Sequence, residues 1–329
     1  MTEDFFPVVY STLACEALVS RLLPHYDIGM VANCQFWNRG LSDVYLVETD
    51  AEKYILRISH LLWRDKSDID FELELLYFLK QRHIPVAYPL LTKEGKLSVE
   101  INAPEGKRYA ALFTYAPGNI PVGDLNITQS RKLGEILATL HNESIDFQCP
   151  YPRKELNPEY LLDESFQKIA TLFEHRNQDL SFLKEVITNI KLQLQDFPKE
   201  PPYWVTCWGD PHSGNTHFTP ENHVTLFDFD QCGYGWRAFD LGKFLQLGLT
   251  VGMSKNVREA FIIGYQSVQE LSDIELKSLR VFTQMAQIWM WAISLNYASI
   301  HHNSRLDDRY FKMRLEELKR FKSPDCHLY

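Results

Sequence analysis

No two cysteines in this sequence stand at the C-x-x-C spacing of a metal ribbon or a redox motif; the six, Cys15, Cys34, Cys149, Cys207, Cys232 and Cys326, are scattered. Free thiols in a reducing cytosol are the expectation. Basic residues are also in deficit. Lys and Arg number 34 against 43 Asp and Glu, a net charge of −9, which is not the balance of a surface built to neutralise a phosphate backbone. Nucleic acid is set aside as a partner. The opening MTEDFFPVVY has neither a basic n-region nor an apolar h-region, so no signal peptide is read there and a cytoplasmic location is expected. Gly and Pro are few, 15 and 16, and with 45% hydrophobic and 23% charged residues the chain is no disordered, collagen-like or low-complexity polymer. One stretch, Val281 to Ile300, carries no charge over a length that spans a bilayer. It also contains Thr283, Gln284, Gln287, Ser294, Asn296 and Ser299, which are costly in lipid. It is read as a buried helix, and no membrane partner is expected.

The length, 329 residues, suggests one large or two closely packed domains at roughly 150 residues per domain. Ser11 or Thr12 can cap a helix carrying Ala14, Leu18 and Leu22 at four-residue spacing and ending at Pro24. Two β-rich runs, Val44 to Glu48 and Tyr54 to Ile58, flank the polar turn Thr49-Asp50-Ala51-Glu52 and read as a hairpin preceded by a turn at Gly40. Ile69 to Arg82 has helical periodicity, and IPVAYPLL and YAALFTY bracket a second expected hairpin around Lys93-Glu94-Gly95-Lys96. After Ala116-Pro117-Gly118 the pattern turns helical: Ser130 to Asn142, then about 158 to 196, 254 to 272 and 274 to 320. The expected organisation is therefore α+β, with a β-rich lobe over residues 1–117 and a helical lobe over 118–329.

Within the helical part, Trp208-Gly209-Asp210-Pro211-His212-Ser213-Gly214-Asn215 sets an acid and an amide five positions apart in a tight loop, and the run Val224 to Phe227 then leads to Asp228. Phosphoryl transfer asks little covalent chemistry of a protein. It needs a carboxylate to orient and deprotonate the attacking hydroxyl, and oxygen ligands to hold Mg²⁺ on the phosphates. Asp210 suits the first task, Asn215 and Asp228 the second. Kinase catalytic loops share this D-x-x-x-x-N spacing and a following metal-binding Asp.

With GLSDVY, YILR, FELELLYFLKQRHIPV, LGEILATLH, WGDPHSGN, LFDFDQCGYG and FDLGKFL in that order, the sequence resembles the aminoglycoside phosphotransferase and choline kinase superfamily. Those are small enzymes with a two-lobed, protein-kinase-like fold. Within it the chain looks most like the bacterial branch of type II homoserine kinases and stress-response serine kinases. The resemblance covers residues 10 to 250 well and the C-terminal helices weakly. It implies ATP and Mg²⁺, with Gly40 and Ser42 in the phosphate-covering loop, Arg57 at the strand position of a phosphate-contacting cation, and Glu72 as its helix partner. It also implies that backbone groups of Thr114 and Ala116 read adenine, and that Asp240, opening a helix, braces the catalytic loop.

The departures from the family pattern are Trp208 in place of His, Asp43 in place of Asn after the glycine turn, Gln231 at the fourth position of DFDD, and Arg57 in place of Lys. Arg and Lys are not interchangeable at a phosphate. Plainer readings exist as well: Asp and Asn favour turns on their own account, Arg57 could be a surface ion pair, and Glu72 could belong to a solvated face. Gly233-Tyr-Gly235-Trp-Arg-Ala238 matches a dinucleotide fingerprint by accident, since no βαβ unit surrounds it. His212, His217 and His223 with Cys207 and Cys232 have no zinc-finger spacing. Trp289 and Trp291 read as core. The expected activity is an ATP- and Mg²⁺-dependent phosphotransferase acting on a hydroxyl of a small metabolite, an amino alcohol, homoserine-like compound or aminoglycoside. A serine/threonine protein kinase and a nucleotide-binding pseudokinase scaffold are the alternatives.

Overall fold

The computed structural model describes residues 6–123, 125–172, 175–300, 307–323 and 325–329, without side chains at 299–300. The first five residues, and residues 301–306 of the expected helical stretch 274 to 320, lie outside them. The chain is α+β and divides into two compact units. One comprises residues 1–78, 87–116 and 149–152, the other residues 79–86, 117–148 and 153–329.

The first unit is an antiparallel sheet with two helical segments. After a short helix α1 (Cys15–Ala17), which runs on through a wide turn at Leu18–Leu22, come strands β1 (Val31–Arg39), β2 (Ser42–Thr49) and β3 (Lys53–Ser59). Helix α2 (Lys66–Gln81) precedes β4 (Val99–Ala103) and β5 (Gly106–Thr114), and the strands lie in the order β1-β2-β3-β5-β4. Alternation fixes the register. Tyr45 and Val47 of β2, Tyr54, Leu56 and Ile58 of β3, and Ala110 and Leu112 of β5 turn inward and are covered by Leu18, Leu22, Leu23 and Tyr26.

Two expectations fail in this unit, and one strand was not foreseen. Neither Ser11 nor Thr12 caps α1: the Ser11 hydroxyl donates to Glu105 Oε2 at 2.7 Å, Thr12 Oγ1 accepts from Arg39, and the helix starts after Ala14 with no side-chain cap. CQFWNR, assigned no element from the sequence, is most of β1, a largely exposed edge strand whose residues therefore lack inward alternation. The second hairpin closes at Pro104-Glu105, between β4 and β5. Lys93 to Lys96 form only a local turn, in which Thr92 N–H donates to the Lys96 carbonyl at 2.8 Å. Pro85 and Pro89 deprive IPVAYPLL of ladder donors, and it touches the sheet through one bridge at Pro89–Phe113.

The second unit is helical. Asn126 and Gln129 form a reciprocal capping box at the start of α3 (Ile127–Glu143). The expected helix from 158 to 196 is broken into a wide turn at Glu159–Asp163, α4 (Glu164–Ala170) and α5 (Asn177–Leu194). Then follow β6 (Trp204–Cys207), a 3₁₀ turn (Ser213–Asn215), β7 (Thr216–Phe218), β8 (Val224–Leu226) and β9 (Gly233–Trp236), with β6 paired to β9 and β7 to β8. Helices α6 (Arg237–Val251), α7 (Lys255–Gln266), α8 (Asp273–Ile300) and α9 (Asp308–Lys322) complete it. Gly134 and Gly264 let α3 and α7 cross at backbone distance: a Cβ at Gly134 would lie 2.1 Å from the Phe261 carbonyl oxygen, and one at Gly264 2.0 Å from that of Arg131.

Among the described residues no helix is long and apolar enough to cross a membrane. The uncharged run lies in α8, where Thr283 and Gln287 are buried and satisfied, Gln287 accepting from Gln246 at 2.7 Å and donating to Glu317 at 2.8 Å.

Candidate functional site

β6 ends at Cys207 and leads into the loop that carries Asp210. The loop's path is set from below by Asp240, the fourth residue of α6 and fully buried. One of its oxygens accepts the Gly209 N–H at 2.9 Å; the other accepts the Trp208 N–H at 2.8 Å and His141 Nε2 of α3 at 3.0 Å. The helix opens at Arg237, three residues earlier than the sequence suggests, because GYGW is strand β9 and not loop. That also removes the apparent dinucleotide fingerprint. At Gly209 φ is +86° and a Cβ would stand 2.1 Å from the Gln231 carbonyl oxygen, so only glycine fits.

The Asp210 carboxylate has two anchors. Lys243 Nζ of α6 lies 2.5 Å from Oδ1, and Gln231 Nε2 donates to Oδ2 at 2.8 Å. Gln231 Oε1 in turn accepts the indole N–H of Trp289 of α8 at 3.2 Å. His212 takes its Gly214 N–H at Nδ1, which leaves Nε2 as the protonated nitrogen, 3.5 Å from Asp210 Oδ2. Burial alone would raise the carboxyl pKa, but Lys243 and His212 outweigh it and hold Asp210 well below the usual carboxylate range.

Asn215 is buried in the 3₁₀ turn. Its Nδ2 donates to the Asp210 backbone carbonyl at 3.1 Å and its own carbonyl accepts the Phe227 N–H at 3.0 Å. Asp228 follows β8 with φ +59°, a left-handed conformation that Asp tolerates better than most residues. Its backbone carbonyl accepts the Trp208 indole N–H at 3.1 Å, and Trp208 stacks on Phe229. Trp208 is thus a fully buried tie between the Asp210 loop and the Asp228 segment. Asp210, Asn215 and Asp228 share one hydrogen-bonded frame.

In the first unit Arg57 of β3 and Glu72 of α2 form a bidentate pair, Nη1 to Oε1 at 2.8 Å and Nη2 to Oε2 at 2.6 Å, and the guanidinium lies 4.8 Å from the centre of the Phe113 ring. A Lys ammonium could make neither the fork nor the flat contact. Gly40 N–H donates to the Ser42 carbonyl at 3.0 Å, closing the turn into β2. Asp43 is fully buried under that turn and committed to Arg108 Nη2 at 2.9 Å, with Arg39 Nε at 3.3 Å and Tyr10 also bonded to it. Its departure from Asn is therefore structural. The Thr114 N–H donates to the Tyr88 carbonyl at 3.1 Å. Ala116, the other expected adenine contact, is buried. If Arg57 and Glu72 hold phosphate as a unit, Arg57→Ala raises the KM for ATP on the order of tenfold, one charge-assisted hydrogen bond at about 1.4 kcal/mol. Glu72→Gln should raise it less, since the guanidinium remains; steady-state kinetics at varied ATP measures both.

Among the described residues one group, His141, Cys207 and Asp240, has ligand atoms within 4.8 Å of one another. It is a hydrogen-bond network and not a metal centre. Asp240 and His141 are bonded as above, His141 Nδ1 contacts Tyr265 Oη at 2.8 Å, and burial pushes the Cys207 thiol up while its proton faces the Trp236 carbonyl. The histidines at 212, 217 and 223 gather no such group with Cys207 and Cys232.

Sequence reasoning assigned no role to Lys243 and saw Gln231 only as a departure. Lys243 stands three residues after Asp240 on one helix, so both face the same loop, and that spacing was the available signal.

Comparison with known proteins bears on the fold and the chemistry. An uncharacterized protein of Synechocystis sp. is 52% identical over 326 residues, 99% of this chain and 90% of that protein. An amicoumacin kinase solved in complex with AMP-PNP, Ca²⁺ and Ami superposes with a TM-score of 0.78 at 20% identity, over 93% of this chain and 92% of that one. A microcompartment-associated aminopropanol kinase does so with a TM-score of 0.74 at 20% identity, over 92% and 94%. These likenesses make the fold kinase-like, as expected. The model of the phosphotransferase enzyme family (APH) matches residues 33–276, a span that takes in Arg57, Glu72, the Asp210 loop and Asp228, and the chain belongs to that family.

Proposed function

We propose that this phosphotransferase is an ATP- and Mg²⁺-dependent kinase whose acceptor is a hydroxyl of a small metabolite. The observation that carries the reading is the frame joining Asp210, Asn215 and Asp228, with the Asp210 carboxylate held deprotonated by Lys243. The residues fit a hard divalent cation. Asn215 spends its Nδ2 on the Asp210 carbonyl, which turns Oδ1 away from that bond, and Asp228 offers a carboxylate, so the donors are oxygens throughout. Magnesium held there would neutralise charge on the phosphate oxygens. Asp210 orients the acceptor hydroxyl. As that oxygen bonds to the γ-phosphorus, the bond to ADP breaks and the hydroxyl proton passes to the Asp210 carboxylate. Arg57, fixed by Glu72, grips the phosphates of ATP.

A protein acceptor would need a docking segment between Asp228 and the following helix. Only Phe229 to Trp236 stand there, and Gly233 to Trp236 of these are strand β9. The aminopropanol kinase and the negative net charge both favour a hydroxylated amine. Six free thiols fit a reducing cytosol.

Incubation with γ-labelled ATP and a panel of amino alcohols, homoserine, sugars and aminoglycosides, beside a proteome extract, tests the reading. Label in a small molecule is the expected result. Protein labelling alone would make the chain a protein kinase, and ATP binding with no transfer a scaffold. Asp228→Ala should weaken ATP binding in the presence of Mg²⁺ while leaving metal-free binding nearly unchanged. Calorimetric titration with and without the metal reads this, and equal losses would remove Asp228 from the metal site.

A further inference from the structure

We propose that Lys243 is a positioning residue of the transfer step, which aims the Asp210 carboxylate at the acceptor hydroxyl; this rests on the reading of Asp210 as the proton acceptor. The side chain of Lys243 is 1% exposed and its ammonium has Asp210 Oδ1, 2.5 Å away, as its hydrogen-bond partner. It stands on α6, most of whose residues are buried. An ammonium so buried has lost its hydration, and a buried ion pair as a whole generally stabilises a fold no better than apolar side chains of the same volume. The presence of the pair is therefore not explained by stability, although with Asp210 in place the ammonium also offsets its buried charge.

The loop backbone does not explain it either. Asp240 already holds the N–H groups of Trp208 and Gly209, and Asn215 holds the Asp210 carbonyl. What remains undetermined without Lys243 is the rotation of the Asp210 carboxylate. With Gln231 on one oxygen and Lys243 on the other, and Gln231 itself fixed by Trp289, that rotation is stopped at both ends. A carboxylate offers about four acceptor sites, so two anchors leave room for a hydroxyl at a defined place. Such placement matters: a displacement of about 1 Å at the reacting atoms costs on the order of a hundredfold in rate.

The test uses Lys243→Met, Lys243→Arg, Asp210→Asn and the double variant Asp210→Asn/Lys243→Met, with hydrolysis of MgATP, water standing in as acceptor. Turnover of Lys243→Met should fall about thirty- to a hundredfold, with the KM for ATP within about threefold of wild type; the thermal midpoint should fall as well, because Asp210 loses its counter-charge, so recovery by Arg and the double variant carry the distinction. Lys243→Arg should recover part of the turnover, and Lys243→Met should cost nothing further once Asp210 is Asn. Wild-type turnover in Lys243→Met, a fall not recovered by Arg, or full additivity in the double variant would each overturn the proposal. The two readings separate cleanly. An active Asp210→Asn removes the reading of Asp210, whereas an inactive Asp210→Asn beside an active Lys243→Met removes only this one.

Discussion

Asp210→Asn should lower turnover by on the order of a hundredfold or more, the size of a lost general base together with its positioning. The substitution keeps the shape and removes the charge. Its amide oxygen can still meet Lys243, but its NH₂ then faces the Gln231 Nε2 donor, where Asp210 Oδ2 had accepted at 2.8 Å. Gln231 cannot turn over to accept instead, because its Oε1 is already engaged by the Trp289 indole N–H at 3.2 Å. The buried Lys243 ammonium also loses its counter-charge. Some stability is therefore lost along with activity, and the two must be told apart. Circular dichroism and a thermal melt establish folding; ATP binding should persist, since Asn215, Asp228 and Arg57 are untouched. Near-wild-type turnover in a folded variant would take Asp210 out of the chemistry, and failure to bind ATP would make its role structural.

Parts of this arrangement were legible because they are local. The hairpin of β2 and β3 follows from alternation around a polar turn, α2 and α3 from apolar spacing, and the Asp210 loop from acid-to-amide spacing. The pairing of Arg57 with Glu72 came from matching a family pattern, and the structure supplies the bidentate geometry that the pattern does not contain. What was not legible depends on distant residues. Asp43 looks like a polar turn residue until Arg108, 65 positions away, is seen to neutralise it under the turn. β1 lacks a buried face and so lacks alternation, and β9 is strand only because Cys207 to Trp204 pair with it. Lys243 is the sharpest case. A lysine in FDLGKFL reads as a surface charge unless its three-residue spacing from Asp240 is used, because its partner lies in a loop 33 positions back.

Asp240→Ala should destabilise the fold more than any of the substitutions at Asp210, Asp228 or Lys243, and it tests whether the Asp210 loop is held from α6. Asp240 is fully buried and accepts three donors: the N–H groups of Trp208 and Gly209, and His141 Nε2. Burial pushes the Tyr265 hydroxyl up, so it remains a donor to His141 Nδ1, and the His141 proton on Nε2 has Asp240 as its acceptor. Alanine removes all three acceptor contacts. Each buried donor left unpaired costs roughly 1–3 kcal/mol, and because the three share one acceptor the losses overlap, giving about 3–5 kcal/mol in total. For a domain of this size that is about a 10 °C fall in the thermal midpoint. Gly209 is where the damage should reach function, because its left-handed turn is held between Asp240 and the Gln231 carbonyl. Release of that turn lets Asp210 drift from Lys243. Asp240→Asn should fall between the two, since its one remaining oxygen can serve two donors while its NH₂ opposes the third. Urea unfolding of the three proteins measures the series. A loss below about 1 kcal/mol for alanine, the worth of a single ordinary hydrogen bond, would mean that the loop keeps its path without α6.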